Sequence, residues 1–125
     1  MAEYDKTKYI LGKIIQYCEE INILTKRFGE SLDAFKTDFA YRHACGMCIF
    51  QIGELASRLD DDFRAKYDGV PWKSIRGMRN IVAHEYENLN YDEAWAAIDM
   101  RVPELKMYCE HILQEIARNE NERQA

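Results

Sequence analysis

The chain has 125 residues, of which 47% are hydrophobic and 31% are charged, so it fits the size of one domain around a single core. Two prolines and six glycines are too few for a chain of many short strands and tight turns, and helix is therefore the expectation. The net charge of −5 excludes a global positive field that would attract nucleic acid or anionic lipid, so any polyanion site must be local.

Two long amphipathic helices are predicted in the first half of the chain. Apolar residues recur at steps of three and four over residues 8–28, and Gly29 is a natural C-terminal stop. Asp38 is a candidate N-cap for a second helix, whose apolar stripe covers residues 41–59. Phe35 is expected to pack locally in the connection between them.

The second half predicts a turn followed by three further helices. Asp68-Gly-Val-Pro71 combines Gly and Pro and indicates a chain reversal. A third helix is predicted from Trp72 to about His84, with Ile75, Met78 and Val82 as its core positions, and it is broken at 88–90. Asp92 is a candidate cap for a short fourth helix, and Pro103 fits the first turn of a fifth that ends near Asn119.

These elements predict one all-α domain over residues 1–125, folded as an antiparallel bundle of four to five helices with a polar, frayed tail at about 119–125. The start MAEYDKTKY lacks the apolar region of a signal peptide, and no apolar run approaches the ~18 residues of a membrane span. We therefore expect a cytoplasmic protein that does not enter a membrane.

The pair Cys45-Gly-Met-Cys48 follows His43 and imitates a redox motif or part of a metal site. Within a helix, however, His43 points about 140° away from Cys48, and no second cysteine pair supplies further zinc ligands. We interpret all four cysteines, including Cys18 and Cys109, as buried hydrophobic residues without a disulfide. No histidine follows a Glu by three residues, so the sequence predicts neither a di-iron centre nor any other metal or cofactor.

A local reversal of charge marks the third predicted helix. The segment from Arg64 to Arg79 carries five basic residues and one acid, net +4, whereas the rest of the chain is −9. Such a segment favours a phosphate ligand. On an ideal helix Arg79 and Tyr86 lie within about 20° of each other, but His84 lies about 140° from Arg79. A cleft on the two-fold axis of a homodimer would allow both copies to line one site.

Five short motifs, in this order and spacing, resemble the HepT-like branch of the HEPN superfamily. They are Tyr41-Arg-His-Ala44, Ile52-Gly-Glu54, Val70-Pro-Trp72, Met78-Arg-Asn80 and Ala83-His84-x-Tyr86. The Arg-x4-His-x-Tyr motif of that family corresponds here to Arg79, His84 and Tyr86 without departure.

The resemblance implies a toxin-like, metal-independent endoribonuclease that forms a homodimer and is paired with a minimal nucleotidyltransferase antitoxin. It implies that Arg79 and His84 are the catalytic residues, and that the antitoxin silences the toxin by transferring AMP to Tyr86. Histidine can exchange protons near neutral pH, and arginine can hold a phosphate oxygen, so both residue types suit cleavage of RNA through its 2′-OH.

Three further positions invite both a functional and a structural interpretation. Glu54 is a candidate to orient Arg79 or a solvated carboxylate, and Arg76 is a candidate RNA-backbone contact or a surface arginine. Asn80 is a candidate for a helix cap or a local hydrogen bond. The alternative function is a non-catalytic HEPN module that binds a nucleotide or a nucleotidyltransferase partner, since fold alone does not fix function.

Overall fold

A computed structural model describes residues 3–83 and 91–124, and every regular element in those ranges is helical. The elements are α1 (Glu3–Phe28), α2 (Leu32–Thr37), α3 (Phe39–Ser57), α4 (Asp61–Lys66), α5 (Trp72–Ala83), α6 (Tyr91–Ala96), a π-helical segment (Ala97–Arg101) and α7 (Val102–Gln124). The predicted all-α class is confirmed.

The four longest helices form the bundle. α3 packs against both α1 and α5, and α1 also packs against α7. The apolar side chains that recur at helical spacing are the ones buried between them, as shown by Ile14, Ile52 and Leu105, which have no exposed surface. Ile75 and Met78 of α5 are buried as predicted, whereas the side chain of Val82 lies outside the described residues.

Two helix ends in the first half of the chain lie where the sequence predicts them. The Asp38 carboxylate accepts hydrogen bonds from the backbone N–H groups of Ala40 and Tyr41, which confirms the predicted cap of α3. Gly29 follows α1 with a φ of 120°, a backbone conformation that is strained for residues with a side chain. Its N–H donates a hydrogen bond to the Thr25 carbonyl. α1 therefore stops where the glycine predicts.

Several predicted boundaries are wrong. The connection around Phe35 is the short helix α2, which Ser31 caps, and a further short helix, α4, precedes the turn that leads to α5. Asp92 lies inside the first turn of α6 and does not cap it. α7 continues from the π-helical segment and extends to Gln124, beyond the predicted end near Asn119. The predicted break at 88–90 lies outside the described residues.

All four cysteines are buried and carry free thiols, as the sequence predicts. Burial raises the pKa of Cys45 to about 12 and that of Cys48 to about 11, so both thiols stay protonated and unreactive at neutral pH. His43 is exposed on α3 while Cys48 faces the core, which confirms that these side chains do not converge.

Candidate active site

Arg79 of α5 is held by Glu54 of α3. The distance from Arg79 Nη1 to Glu54 Oε1 is 2.7 Å, and 45% of the arginine side chain and 40% of the glutamate side chain are exposed. A guanidinium has five N–H donors in a planar fork, so the bond to Glu54 uses a fraction of them. The pair therefore presents an oriented cation at the surface between the two helices.

Gly53 allows the backbone of α5 to approach α3 at this point. A Cβ atom built on Gly53 would lie 2.9 Å from the Arg79 backbone nitrogen, 3.0 Å from the Arg79 Cβ and 3.3 Å from the Arg76 carbonyl oxygen. These neighbours are mostly backbone atoms, which cannot move without shifting α5. The absence of a side chain at Gly53 therefore sets the distance at which Glu54 reaches Arg79. The sequence motif Ile52-Gly-Glu54 contains this residue, but its steric role was not predicted.

Two hydrogen bonds secure the start of α5. The indole Nε1 of buried Trp72 donates to the Tyr67 carbonyl at 2.6 Å, and the Gly69 N–H donates to the Tyr108 hydroxyl of α7 at 3.0 Å. These bonds tie the turn before α5 to the rest of the bundle. The helix that carries Arg79 is thereby fixed at its N-terminal end as well as along α3.

The positive charge of the 64–79 segment divides into a structural part and an exposed part. The Arg64 guanidinium contacts the carbonyl oxygens of Ala56 and Leu59 and thus satisfies the end of α3. By contrast, Lys73, Arg76 and Arg79 are exposed on α5. α5 contains no acidic residue, so these three cations form the local basic surface that the composition predicts.

The structure places part of the predicted site. It brings Glu54 and Arg79 together, and it leaves Arg76 and Asn80 exposed on the same helix as Arg79. His84 and Tyr86 lie outside the described residues, which resume at Tyr91.

The tyrosine-arginine part of the first family-like motif has a structural role instead. Arg42 donates to the carbonyl oxygens of Phe35 and Lys36 and lies over the Tyr91 ring, with its guanidinium carbon 4.8 Å from the ring centroid. The Tyr41 hydroxyl donates to the Gly29 carbonyl at 3.0 Å. These contacts connect α3 to α1, α2 and α6 and leave neither side chain free for substrate.

The family model for HepT-like ribonucleases matches residues 14–112, which include Glu54, Arg79, His84 and Tyr86. The chain belongs to the HepT-like ribonuclease family. This membership confirms the resemblance seen in the sequence motifs, and it makes the protein a member of a ribonuclease family with an all-α, HEPN-like fold.

Relatives of this HepT-like chain carry ribonuclease names. "Putative RNase MJ1216" of Methanocaldococcus jannaschii is 30% identical over 87% of this chain and 88% of its own length. "Putative RNase TTE0752" of Caldanaerobacter subterraneus subsp. tengcongensis is 38% identical over 83% of this chain and 91% of its own length. "Probable ribonuclease HepT" of Thermococcus cleftensis is 28% identical over 79% of this chain and 88% of its own length. No solved structure matches the chain significantly.

Two features are absent from the described part of this HepT-like chain. Residues 3–83 and 91–124 contain no group of three or more His, Cys, Asp or Glu side chains arranged to hold a metal ion. Within the same ranges, no helix combines the length and apolarity that crossing a membrane requires.

Proposed function

We propose that this HepT-like ribonuclease is a metal-independent endoribonuclease and the toxin of a toxin-antitoxin pair, with Arg79 and His84 as its catalytic residues. The observation that carries the proposal is the Arg79 guanidinium, oriented by Glu54 at 2.7 Å on an acid-free helix, five residues before His84. The ribonuclease names of the relatives agree with the reaction class.

Each residue has a defined part in the proposed reaction. The 2′-OH of RNA attacks the adjacent phosphorus, the bond to the 5′-oxygen breaks, and the products are a 2′,3′-cyclic phosphate and a 5′-OH. His84 would accept the proton of the 2′-OH or donate one to the leaving 5′-oxygen. Arg79 would oppose the negative charge that grows on the phosphate oxygens, with two parallel N–H···O bonds as its preferred geometry.

A homodimer gives this mechanism its second proton-transfer group. One imidazole cannot be base and acid in the same step, but two copies of His84 facing each other across a cleft can divide the two roles. On an ideal helix Arg79 and His84 project about 140° apart, so one copy alone does not direct both side chains at one phosphate. We infer that the working cleft is formed by two chains.

Regulation of this cleft would act through Tyr86. A nucleotidyltransferase antitoxin that transfers AMP from ATP to the tyrosine hydroxyl forms a phosphodiester and releases pyrophosphate. The attached group adds a negative charge and a bulky nucleoside close to Arg79, where it competes with the RNA phosphate. Because the attachment is intramolecular, its effective concentration exceeds that of a free ligand.

The test is to incubate the purified chain alone with single-stranded RNA in EDTA and to analyse the ends of the products. We expect fragments with 2′,3′-cyclic phosphate and 5′-OH ends. Cleavage that occurs only after a divalent ion is restored would contradict the metal-independent mechanism. Binding of a nucleotide or a nucleotidyltransferase without any cleavage would favour a non-catalytic interaction module instead.

A further inference from the structure

A cleft of about 340 Å³ lies between α1, α6, the π-helical segment and the start of α7. None of the described residues that line it belongs to α3 or α5, the helices that carry Glu54 and Arg79. Small-molecule sites in proteins have volumes from about 300 Å³ upward. The cleft is therefore a second candidate site, of a size for a small ligand, and it is separate from the candidate active site.

The floor of the cleft is apolar and buried. It consists of side chains from α1, the π-helical segment and α7 that are each at most 4% exposed, namely Cys18, Ile21, Ile98 and Val102. Burial raises the pKa of the Cys18 thiol to about 12, as expected for a group held away from water. Charges interact more strongly beside such a low-dielectric surface than in bulk water.

Trp95 of α6 forms an aromatic wall of the cleft. Its ring centroid lies 5.8 Å from that of Phe35 and 6.4 Å from that of Tyr41, and both of these neighbouring rings are buried. The two contacts fix the orientation of the indole, which is itself half-buried. An indole attracts a cation over its face and also packs against methylene groups. The wall therefore suits an organic cation.

The charges at the edge of the cleft also favour a cation. Glu30, between α1 and α2, and Asp99, in the π-helical segment, are exposed carboxylates, and neither forms an ion pair with a residue in the described ranges 3–83 and 91–124. By contrast, the ammonium of Lys106, which also lines the cleft, lies 3.5 Å from the Glu110 carboxylate. The positive charge is thus partly met within the protein, and the two carboxylates are left for a ligand.

We propose that this cleft binds a linear alkyl polyamine. Such a ligand joins protonated amines through methylene chains. Its ammonium groups pair with Glu30 and Asp99, which belong to different elements, while its methylene groups pack on the apolar floor and on Trp95. A magnesium ion meets the carboxylates but leaves the floor uncovered, because it requires an octahedron of oxygen ligands. The site goes beyond the proposed ribonuclease function and does not depend on it.

The experiment follows the indole N–H signals of the full chain by NMR during a titration with spermidine at constant pH and ionic strength. The chain has two tryptophans, and Trp95→Phe identifies which signal belongs to the cleft. We expect a saturable shift of the Trp95 signal. The Trp72 signal is the internal control and should stay in place, because that indole is buried and donates to the Tyr67 carbonyl.

Substitutions at the edge of the cleft test the charges. Asp99→Asn and Glu30→Gln are each expected to weaken spermidine binding about fivefold, the effect of one exposed ion pair. Asp62→Asn is the matched control, since it removes the same charge at an exposed residue of α4 outside the cleft, and it should bind like the wild type. Ammonium and magnesium chlorides should leave the Trp95 signal in place, because neither cation has a methylene chain.

Three outcomes would overturn the proposal. The first is a Trp95 signal that spermidine does not shift saturably. The second is a loss in Asp62→Asn as large as that in Asp99→Asn, which would show a general attraction to an acidic chain. The third is an equal shift with ammonium or magnesium, which would show that the apolar floor takes no part. RNA cleavage is not a readout here, so failure of this proposal and failure of the ribonuclease proposal are distinguishable.

Discussion

The Glu54 carboxylate contributes to Arg79 more by orientation than by stability. Both side chains are more than a third exposed, and ion pairs in such surroundings contribute about 0–1 kcal/mol to the free energy of unfolding. A planar guanidinium, however, must present its donors in a fixed direction to hold a phosphate with two bonds. In the proposed mechanism Glu54 is therefore a positioning residue, and Arg79 is the group that would touch substrate.

This division of roles predicts different effects for two substitutions. Arg79→Lys should lower kcat by about 10²-fold, because an ammonium cannot reproduce the fork that stabilises the developing charge. Glu54→Gln should lower kcat by less, while the free energy of unfolding changes by under about 1 kcal/mol. Cleavage kinetics and urea unfolding measure both. Glu110→Gln, at a glutamate paired with Lys106 on α7, is the control. Wild-type kinetics in both variants would refute these assignments.

Tyr86 is the residue through which the activity is expected to be switched off. Co-expression with the cognate nucleotidyltransferase should give a chain heavier by one or more AMP units, modified at Tyr86 and inactive on RNA. Tyr86→Phe should retain cleavage and escape modification, whereas Tyr9→Phe, at an exposed tyrosine of α1, should be modified and silenced like the wild type. Intact-mass and peptide mass spectrometry measure this. A fully neutralised complex with unmodified Tyr86 would show that inhibition is steric.

Among the helices, the contact between α3 and α5 determines how Glu54 is placed relative to Arg79. In Gly53→Ala, overpacking should lower the free energy of unfolding by about 1–3 kcal/mol, and the better helix propensity of alanine should offset about 1 kcal/mol of that loss. Cleavage should also fall, because α5 must shift to make room for the new Cβ atom. Gly77→Ala on α5 is the matched control, since a Cβ there meets nothing within 4 Å. It should raise the thermal midpoint and preserve cleavage. Thermal unfolding and cleavage rates are the readouts, and equal behaviour of the two variants would contradict this role of Gly53.

The sequence predicts the long helices better than the short ones for a physical reason. α1, α3, α5 and α7 each bury one face over several turns, and a period of 3.6 residues is visible at that length. α2 and α4 have six residues each, which is too few to show a period, so the sequence does not predict these helices or their Ser31 and Asp60 caps. Glu54 and Arg79 are 25 residues apart in the chain, so their contact depends on how α3 packs on α5. The spacing of residues along the sequence therefore does not decide whether Glu54 orients Arg79 or is a solvated carboxylate.

For the whole molecule, a net charge of −5 around a local basic surface fits a protein that binds RNA at one place. The proposed cleft also requires two chains. Arg79→Ala and His84→Ala homodimers should each be inactive, and mixed dimers of one wild-type and one His84→Ala chain should also lose activity, because their shared cleft keeps one His84 and lacks the second proton-transfer group. Cleavage assays after subunit exchange measure this loss. Full activity in a species that sediments as a monomer would refute the shared cleft.

The most direct test of the account is the rate of RNA cleavage by His84→Ala in EDTA, beside His111→Ala as a control at an exposed histidine of α7. A positioned proton-transfer group is worth about 10²–10⁴-fold, so His84→Ala should lose at least about 10²-fold in rate, while its circular dichroism spectrum stays that of a helical protein. His111→Ala should cleave like the wild type. A folded His84→Ala protein that cleaves RNA at the wild-type rate would contradict the account.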